Sequence, residues 1–236
     1  MKVKILGISG SPRHGNTDIL VKETLKAAES LGDVKTEFIA ICDYKIKSGC
    51  LSCYKCNDSD SEKLCRGVKD DVNTIFKKML EADGWIIGNP VYFAGITAQL
   101  KAVFDRSMAV EKNGFGFRNK VAGVVTVAVA RHGGHEAAIM DIHRFCMIHD
   151  MIIIGVGPAG AIGGLGCFWG AAALRGFPDP VPSSDPKAII AVSQDTMGLR
   201  ACNYLGLRVA EMTQVVKAGF SSKDVKTRWP YKGVKI

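Results

Sequence analysis

The strongest constraint on the fold of this 236-residue chain is the regular alternation of buried-strand and helical patterns. Short apolar runs rich in Val and Ile, typical of buried parallel strands, lie at residues 2–8, 36–41, 85–87, 121–130 and 152–156. Apolar residues at helical spacing follow them at residues 18–32, 72–80, 99–108, 136–149 and 197–217. Because strands that alternate with helices form parallel sheets with right-handed crossovers, the pattern predicts one doubly wound α/β domain, with a five-stranded parallel sheet, over residues 1–236.

Composition and charge exclude several classes of protein. Apolar residues make up 47% of the chain and charged residues 23%, as in soluble globular proteins. No apolar run approaches the roughly 18 residues of a membrane span, and residues 1–10 carry no secretion signal, so we expect a cytoplasmic protein without a membrane partner. The net charge of +8 comes from scattered Lys and Arg residues, which argues against a nucleic-acid partner and suits an anionic cofactor and an acidic redox partner.

The loop after the first strand has the chemistry of a phosphate site. Residues 9–17 are Ser-Gly-Ser-Pro-Arg-His-Gly-Asn-Thr and lead directly into a helix. The start of a helix offers unpaired N–H groups and a positive dipole end, and Ser9, Ser11, Asn16 and Thr17 add side-chain donors. The loop has neither the Walker lysine nor the Rossmann glycine spacing, which favours a mononucleotide phosphate bound without metal. The alternative is a polar turn that only caps the helix.

Two further loops follow the third and fourth strands. Residues 89–97 contain the aromatic pair Tyr92 and Phe93, and residues 130–135 contain Gly133 and Gly134 beside two histidines. In an open doubly wound sheet, ligands bind at the carboxyl edge, and flavodoxin-like sheets bind FMN between the first and third strands. An isoalloxazine ring requires an apolar wall and N–H donors of this kind. The alternative is that the aromatic residues only pack in a core or interface and that the histidines are surface residues.

Four of the eight cysteines are close together in a segment without clear periodicity, residues 42–70. Cys50, Cys53 and Cys56 are three positions apart, and Cys65 follows after eight intervening residues. This spacing favours a [4Fe–4S] cluster held by four thiolates. A structural zinc ion and redox-active thiols are the alternatives. The other cysteines are expected to be small apolar core residues: Cys42, Cys146, Cys167 and Cys202.

Two long motifs, at residues 7–17 and 89–106, resemble those of the NADPH-dependent FMN reductase superfamily, and within it most closely the iron–sulfur flavoproteins. The resemblance extends to residues 131–136 and 205–210. It implies a flavodoxin-like fold and an oligomer, a homodimer or homotetramer, with flavins near the subunit contacts. The gap of eight residues before Cys65 is longer than is usual in that family. The expected FMN contacts are Ser9, Ser11, Arg13, Asn16, Thr17, Pro90, Val91, Tyr92, Phe93, Gly95, Arg131, His132, Gly133 and Gly134.

Taken together, these features predict an FMN-dependent oxidoreductase with an inserted cysteine-rich loop, a Gly- and Pro-rich arm at residues 157–186 and a C-terminal extension. Electrons are expected to pass from a one-electron donor such as ferredoxin, through the cluster, to FMN and on to O2, H2O2 or a quinone. One alternative is an NAD(P)H-dependent FMN or quinone reductase without a functional cluster. The other is a non-enzymatic flavin electron carrier with a structural zinc.

Overall fold

A computed structural model describes residues 1–57, 64–160, 168–174 and 191–224. Its strands are β1 (Val3–Ser9), β2 (Val34–Ala40), β3 (Gly84–Pro90), β4 (Val121–Ala128), β5 (Ile152–Ile154) and β6 (Ala171–Leu174). Its α-helices are α1 (Asn16–Ser30), α2 (Val72–Glu81), α3 (Ala98–Arg106), α4 (Met108–Lys112), α5 (His135–Ile148), α6 (Gly157–Gly160) and α7 (Thr196–Ser221). Short 3-10 helices lie at Ile41–Asp43, Lys55–Asn57 and Ala191–Gln194.

The sheet has the strand order β2-β1-β3-β4-β5, and all of these pairs are parallel. The strand order reverses between β1 and β3, so the loops after these strands flank the crevice where doubly wound folds bind ligands. The predicted doubly wound five-stranded arrangement is therefore confirmed.

The sheet also contains β6, which the sequence did not predict. This strand pairs in parallel with Val125–Ala128 of β4, whose first half already pairs with β5. Its sequence is Ala-Ala-Ala-Leu, and alanine has little strand propensity, so only pairing with β4 makes this segment a strand. Part of the predicted arm at 157–186 thus belongs to the sheet, while residues 161–167 and 175–186 lie outside the described residues.

The core lies on both faces of the sheet, because neighbouring side chains on a buried strand point to opposite faces. Leu6 and Ile87 face α2, α3 and α5, whereas Ile5 and Ile86 face α1 and α7. Cys146 and Cys202 are buried in these two clusters, as predicted, and Cys167 lies outside the described residues. Cys42 is a correction: it is only half-buried, because it lies in the turn after β2. Within the described ranges, no helix combines the length and apolarity needed to cross a membrane.

Candidate functional site

A cavity opens at the carboxyl edge of the sheet, where the loops after β1 and β3 and the end of β4 meet. The first loop and the start of α1 provide one side, the turn after β3 provides another, and the last residues of β4 provide the third. The lining residues are Ser11, Arg13, Gly15, Asn16, Thr17, Pro90, Val91, Tyr92, Val127, Ala128 and Val129. The structure thus brings together seven of the residues that the sequence assigns to FMN, although their contact with FMN remains a prediction.

Hydrogen bonds to neighbouring elements fix the conformation of the first loop. The Gly10 N–H donates to the Gly88 carbonyl at 2.7 Å, which ties the loop to the end of β3. The Thr97 hydroxyl donates to the Gly10 carbonyl at 2.6 Å and also accepts from the Leu100 N–H at 3.2 Å, so that Thr97 caps α3. Within the loop, the Ser11 hydroxyl accepts from the Arg13 N–H at 3.2 Å. The loop is therefore preorganised before any ligand binds.

The start of α1 provides the donors for an anion. Its N-cap is Gly15, which has no side chain to cap the N–H groups of the first turn. Asn16 and Thr17 are buried in this turn, and the Asn16 side-chain oxygen accepts from the Val192 N–H at 3.3 Å. That bond orients the Asn16 amide. A phosphate fits here, because an uncapped helix start lined by polar side chains is an anion site.

Ser9 occupies a different environment from the rest of the predicted phosphate residues. It is fully buried at the end of β1 and does not line the cavity. Within the described part of the chain, its hydroxyl has no hydrogen-bond partner. A buried hydroxyl without a partner costs free energy, so this position is suited to accept or donate a hydrogen bond when the edge of the sheet is occupied.

The second loop makes a tight turn beside the cavity. Tyr92 and Gly95 exchange two backbone hydrogen bonds of 3.0 Å, and Phe93 and Ala94 between them have φ of 48° and 61°. Positive φ at both central residues is costly for side chains other than glycine, and such strain is typical of functional sites. The turn leaves Phe93 fully exposed, while Tyr92 lines the cavity. Phe93 and Gly95 instead line a neighbouring apolar cleft.

The third loop packs against the second. Gly134 has φ of +96°, and a Cβ at this position would lie 2.7 Å from the Ala94 Cα, so only glycine allows this contact. Arg131 and His132 are exposed and, with Gly133 and Gly134, do not line the cavity. The apolar residues Val127–Val129, which the sequence predicted only as strand, line it instead. The apolar pattern of a buried strand does not indicate that its last residues face a ligand.

The four cysteines of the cysteine-rich segment lie around one small cavity, together with Gly67, Val68 and Arg106. Ser52 and Tyr54, which separate the first three cysteines, have φ of 49° and 56°. These left-handed residues curl the chain, so that thiols three positions apart turn towards a common centre. Cys50 and Cys53 are exposed, whereas Cys56 and Cys65 are half-buried. Burial raises the pKa of the Cys56 thiol above its ordinary value.

Close packing and hydrogen bonds from neighbouring residues hold the chain around the cysteine cavity in place. A Cβ on Gly67 would lie 2.4 Å from the Cys53 sulfur, so a larger residue here would displace that sulfur. The Asn113 amide donates to the Cys56 carbonyl at 2.9 Å. The Asn73 side chain pairs with the backbone of Cys65 in both directions, each at 2.9 Å. Four thiols around one cavity, with supported backbones, fit a four-iron cluster.

A buried ion pair lies behind Cys65, and the sequence did not reveal it. The Arg106 Nε–H points at the Cys65 sulfur at 3.4 Å, and its NH1 group contacts both carboxylate oxygens of Asp70 at 2.7 Å. Both side chains are fully buried. Burial opposes ionisation of Asp70, but Arg106 and the backbone N–H groups of Lys47 and Val72 hold its pKa below its usual value. The ion pair thus fixes the guanidinium where its Nε–H can donate to the Cys65 sulfur.

The strand order and the cavity between the β1, β3 and β4 loops define a flavodoxin-like, flavin-binding protein. Solved structures share this fold. RosB with a bound riboflavin-phosphate intermediate has a TM-score of 0.61 and 17% identity, and the match covers 98% of this chain and 92% of RosB. A WrbA-like flavodoxin of Agrobacterium tumefaciens has a TM-score of 0.57 and 16% identity, and the match covers 91% of this chain and 99% of that structure.

Sequence comparison gives the family. The model of the family described as NADPH-dependent FMN reductase matches residues 3–161. An iron–sulfur flavoprotein of Methanocaldococcus jannaschii is 41% identical over 217 residues, 91% of this chain and 100% of the relative. Another iron–sulfur flavoprotein, from Archaeoglobus fulgidus, is 33% identical over 211 residues, which cover 89% of this chain and 97% of the relative. The chain belongs to the iron–sulfur flavoproteins of the NADPH-dependent FMN reductase family, and it is an FMN-dependent oxidoreductase.

Proposed function

We propose that this protein holds a [4Fe–4S] cluster on Cys50, Cys53, Cys56 and Cys65 and passes electrons from a one-electron donor through that cluster to FMN. The final acceptor is O2, H2O2 or a quinone. The observation that carries the proposal is that all four cysteines line one cavity. When bound, the cluster transfers single electrons and FMN exchanges one or two.

The chain's own residues bind and orient the two cofactors. Asn16 and Thr17 at the start of α1, with Ser11 and Arg13, hold the FMN phosphate, and Pro90–Tyr92 with Val127–Val129 form the apolar wall against its ring. Arg106 donates to the Cys65 sulfur and so orients this ligand. The helix that carries Arg106 begins beside the phosphate loop, so one element positions both sites.

The donor we propose is an acidic protein such as a ferredoxin. Cys50, Cys53, Leu51 and Tyr54 are exposed, so that a protein partner can reach the cluster loop directly. The net charge of +8 attracts an acidic partner, and this attraction is screened beyond about 8–10 Å at physiological salt. The alternative donor is NAD(P)H, which the description of the matched family favours.

We further propose that the protein is a homodimer or homotetramer that uses the apolar cleft next to the flavin cavity. The cleft has a volume of about 720 Å³ and lies between the turn after β3, α3, α4 and α5. Phe93 and Ile148 line it and, at 107% and 74%, are the most exposed large apolar side chains of the described residues. A second copy that covers Phe93 would also shield the flavin cavity next to it. Sedimentation of the wild type and Phe93→Ser at matched concentrations tests this; an unchanged oligomer would contradict it.

The electron path is tested by anaerobic stopped-flow reduction of FMN. Reduced ferredoxin should reduce FMN quickly, and the rate should fall with added salt, whereas NADPH should act slowly or not at all. Cys53→Ala should lose its iron, keep FMN and lose fast reduction by ferredoxin. Fast reduction by NADPH that is insensitive to salt and unchanged in Cys53→Ala would replace the proposed path with the NAD(P)H-dependent one. Iron retained by Cys53→Ala would refute the ligand assignment.

A further inference from the structure

A second group of metal-ligating side chains lies outside the cysteine cavity. His14 belongs to the phosphate loop, while Cys42 and Asp43 belong to the turn after β2. One ligand atom from each of these three residues lies within 4.8 Å of the others. His14 and Asp43 are mostly exposed, with 64% and 55% of their side chains accessible, so that an ion can reach them from solvent.

A buried carboxylate orients the imidazole of this group. Asp18 is nearly fully buried in the first turn of α1, and one of its oxygens lies 2.7 Å from His14 Nδ1. When Nδ1–H donates to this carboxylate, the lone pair of Nε2 is left for a metal. Nε2 is the nitrogen that lies beside Asp43, with its carboxylate oxygen at 3.0 Å and the Cys42 sulfur at 3.7 Å. A carboxylate behind the histidine is the usual support of a metal-ligating imidazole.

The two separations from His14 Nε2 are close to those of a tetrahedral site. With metal–nitrogen and metal–oxygen distances of about 2.0–2.1 Å and a metal–sulfur distance of about 2.3 Å, tetrahedral angles put neighbouring ligand atoms about 3.3–3.6 Å apart. The observed separations from Nε2 of 3.0 Å and 3.7 Å lie within a few tenths of an ångström of these values. The Cys42 sulfur lies almost as close to His14 Nδ1, at 3.8 Å, so the imidazole or the thiol must rotate to bring the sulfur to the lone-pair side of Nε2. The exposure of His14 leaves room for this rotation.

We propose that His14, Cys42 and Asp43 bind one divalent cation of the zinc type, with water as the fourth ligand. A thiolate and an imidazole favour zinc-type ions over Mg²⁺ or Ca²⁺, which prefer oxygen ligands only. Binding releases two protons to solvent, one from the Cys42 thiol and one from His14 Nε2–H, which donates to Asp43 in the absence of the ion. The ion then replaces the direct contact between His14 and Asp43.

The site would connect the two parts of the molecule that serve the cofactors. His14 lies within the loop that lines the flavin cavity, and Cys42 and Asp43 begin the segment that carries the cluster cysteines. A bound ion would cross-link these two loops and restrict their motion. This proposal does not depend on the electron path, because none of its three ligands is a cluster cysteine.

The test uses the anaerobically purified holoprotein, with FMN and iron counted before and after equilibrium dialysis against Zn²⁺. Wild type should bind one zinc per chain without losing iron, and Zn X-ray absorption should show one sulfur with nitrogen and oxygen ligands. Cys42→Ala and Asp43→Asn should each bind zinc at least about tenfold more weakly. Asp33→Asn is the matched control: its carboxylate is 67% exposed and, among the described residues, contacts the N-terminal amine, so this variant should bind zinc like wild type.

Three results would overturn the proposal: no zinc bound by the wild type, equally tight binding by Cys42→Ala or Asp43→Asn, or a zinc shell with several sulfurs. The last result would mean that zinc had entered the cluster cysteines, and it would be accompanied by loss of iron. Because Asp43 is exposed and Asp43→Asn keeps the size of the side chain, this variant tests the site even if Cys42→Ala does not fold.

Discussion

The buried pair of Arg106 and Asp70 should be among the most sensitive points of the structure. Arg106→Met keeps most of the apolar stem but removes the guanidinium, with its two 2.7 Å contacts to Asp70 and its 3.2 Å bond to the Val68 carbonyl. Asp70 then stays fully buried, and among the described residues the N–H groups of Lys47 and Val72 are its remaining donors. Removing one partner of a buried pair costs about 3–5 kcal/mol. For a domain of this size, that loss lowers the melting temperature by roughly 6–20 °C.

Thermal unfolding followed by circular dichroism, under anaerobic conditions with FMN and iron counted in each sample, measures this effect. Lys101→Met is the matched control, because it breaks an ion pair with Asp105 whose side chains are 58% and 40% exposed. Such a pair contributes at most about 0.5 kcal/mol. The combined Arg106→Met and Asp70→Asn variant should be less destabilised than the sum of the single changes. A melting temperature of Arg106→Met within the range of the control would refute the reasoning.

Three further predictions concern the two cavities and the effect of acid. Thr17→Glu should lower FMN affinity by about tenfold or more in fluorescence titrations, because it puts a negative charge at an anion site, whereas Thr17→Ser should bind normally. Gly67→Ala should lower the iron content without loss of FMN, since its Cβ would lie 2.4 Å from the Cys53 sulfur; full iron content would contradict this. Because the folded-state pKa of Asp70 is lowered, its stabilising effect is complete above its unfolded pKa of about 3.8 and is lost as the pH falls through the folded value. The difference in melting temperature between wild type and Asp70→Asn should therefore shrink below about pH 4; a constant difference would argue against the ionised pair.

The sequence was sufficient to predict the sheet because each of its central strands contains a run of apolar residues and is followed by a helix with a buried face. The strand β6 lacked such a pattern. Its alanines become a strand only because the second half of β4 has a free edge, and because the Asp195 carboxylate accepts from the Leu174 N–H at 2.7 Å. Tertiary pairing of this kind leaves no periodicity in the sequence.

The candidate sites also differ in whether a local sequence pattern or only the tertiary structure reveals them. The residues of the phosphate loop are close together in the sequence, and so are the four cysteines, so that the sequence alone indicates both sites. In the structure, Ser11 and Thr17 line one cavity and the four cysteines line another. The His14, Cys42 and Asp43 group has no local spacing, because β1 and β2 bring together residues 28 positions apart. Cys42 was therefore predicted as a core residue, and only the parallel pairing of the two strands places it beside His14.

The helix α3 connects the phosphate loop to the cysteine-rich segment, although these two sites are separate in the sequence. Its N-cap, Thr97, holds the Gly10 carbonyl of the phosphate loop, and Arg106 in its last turn reaches the Cys65 sulfur. These residues are nine positions apart, which corresponds to about 14 Å along a helix. The sequence predicted this helix only as an amphipathic element, since a polar residue at either end is common in helices. The fold makes it a rigid connection, so that the helix itself sets the separation between the phosphate loop and Cys65.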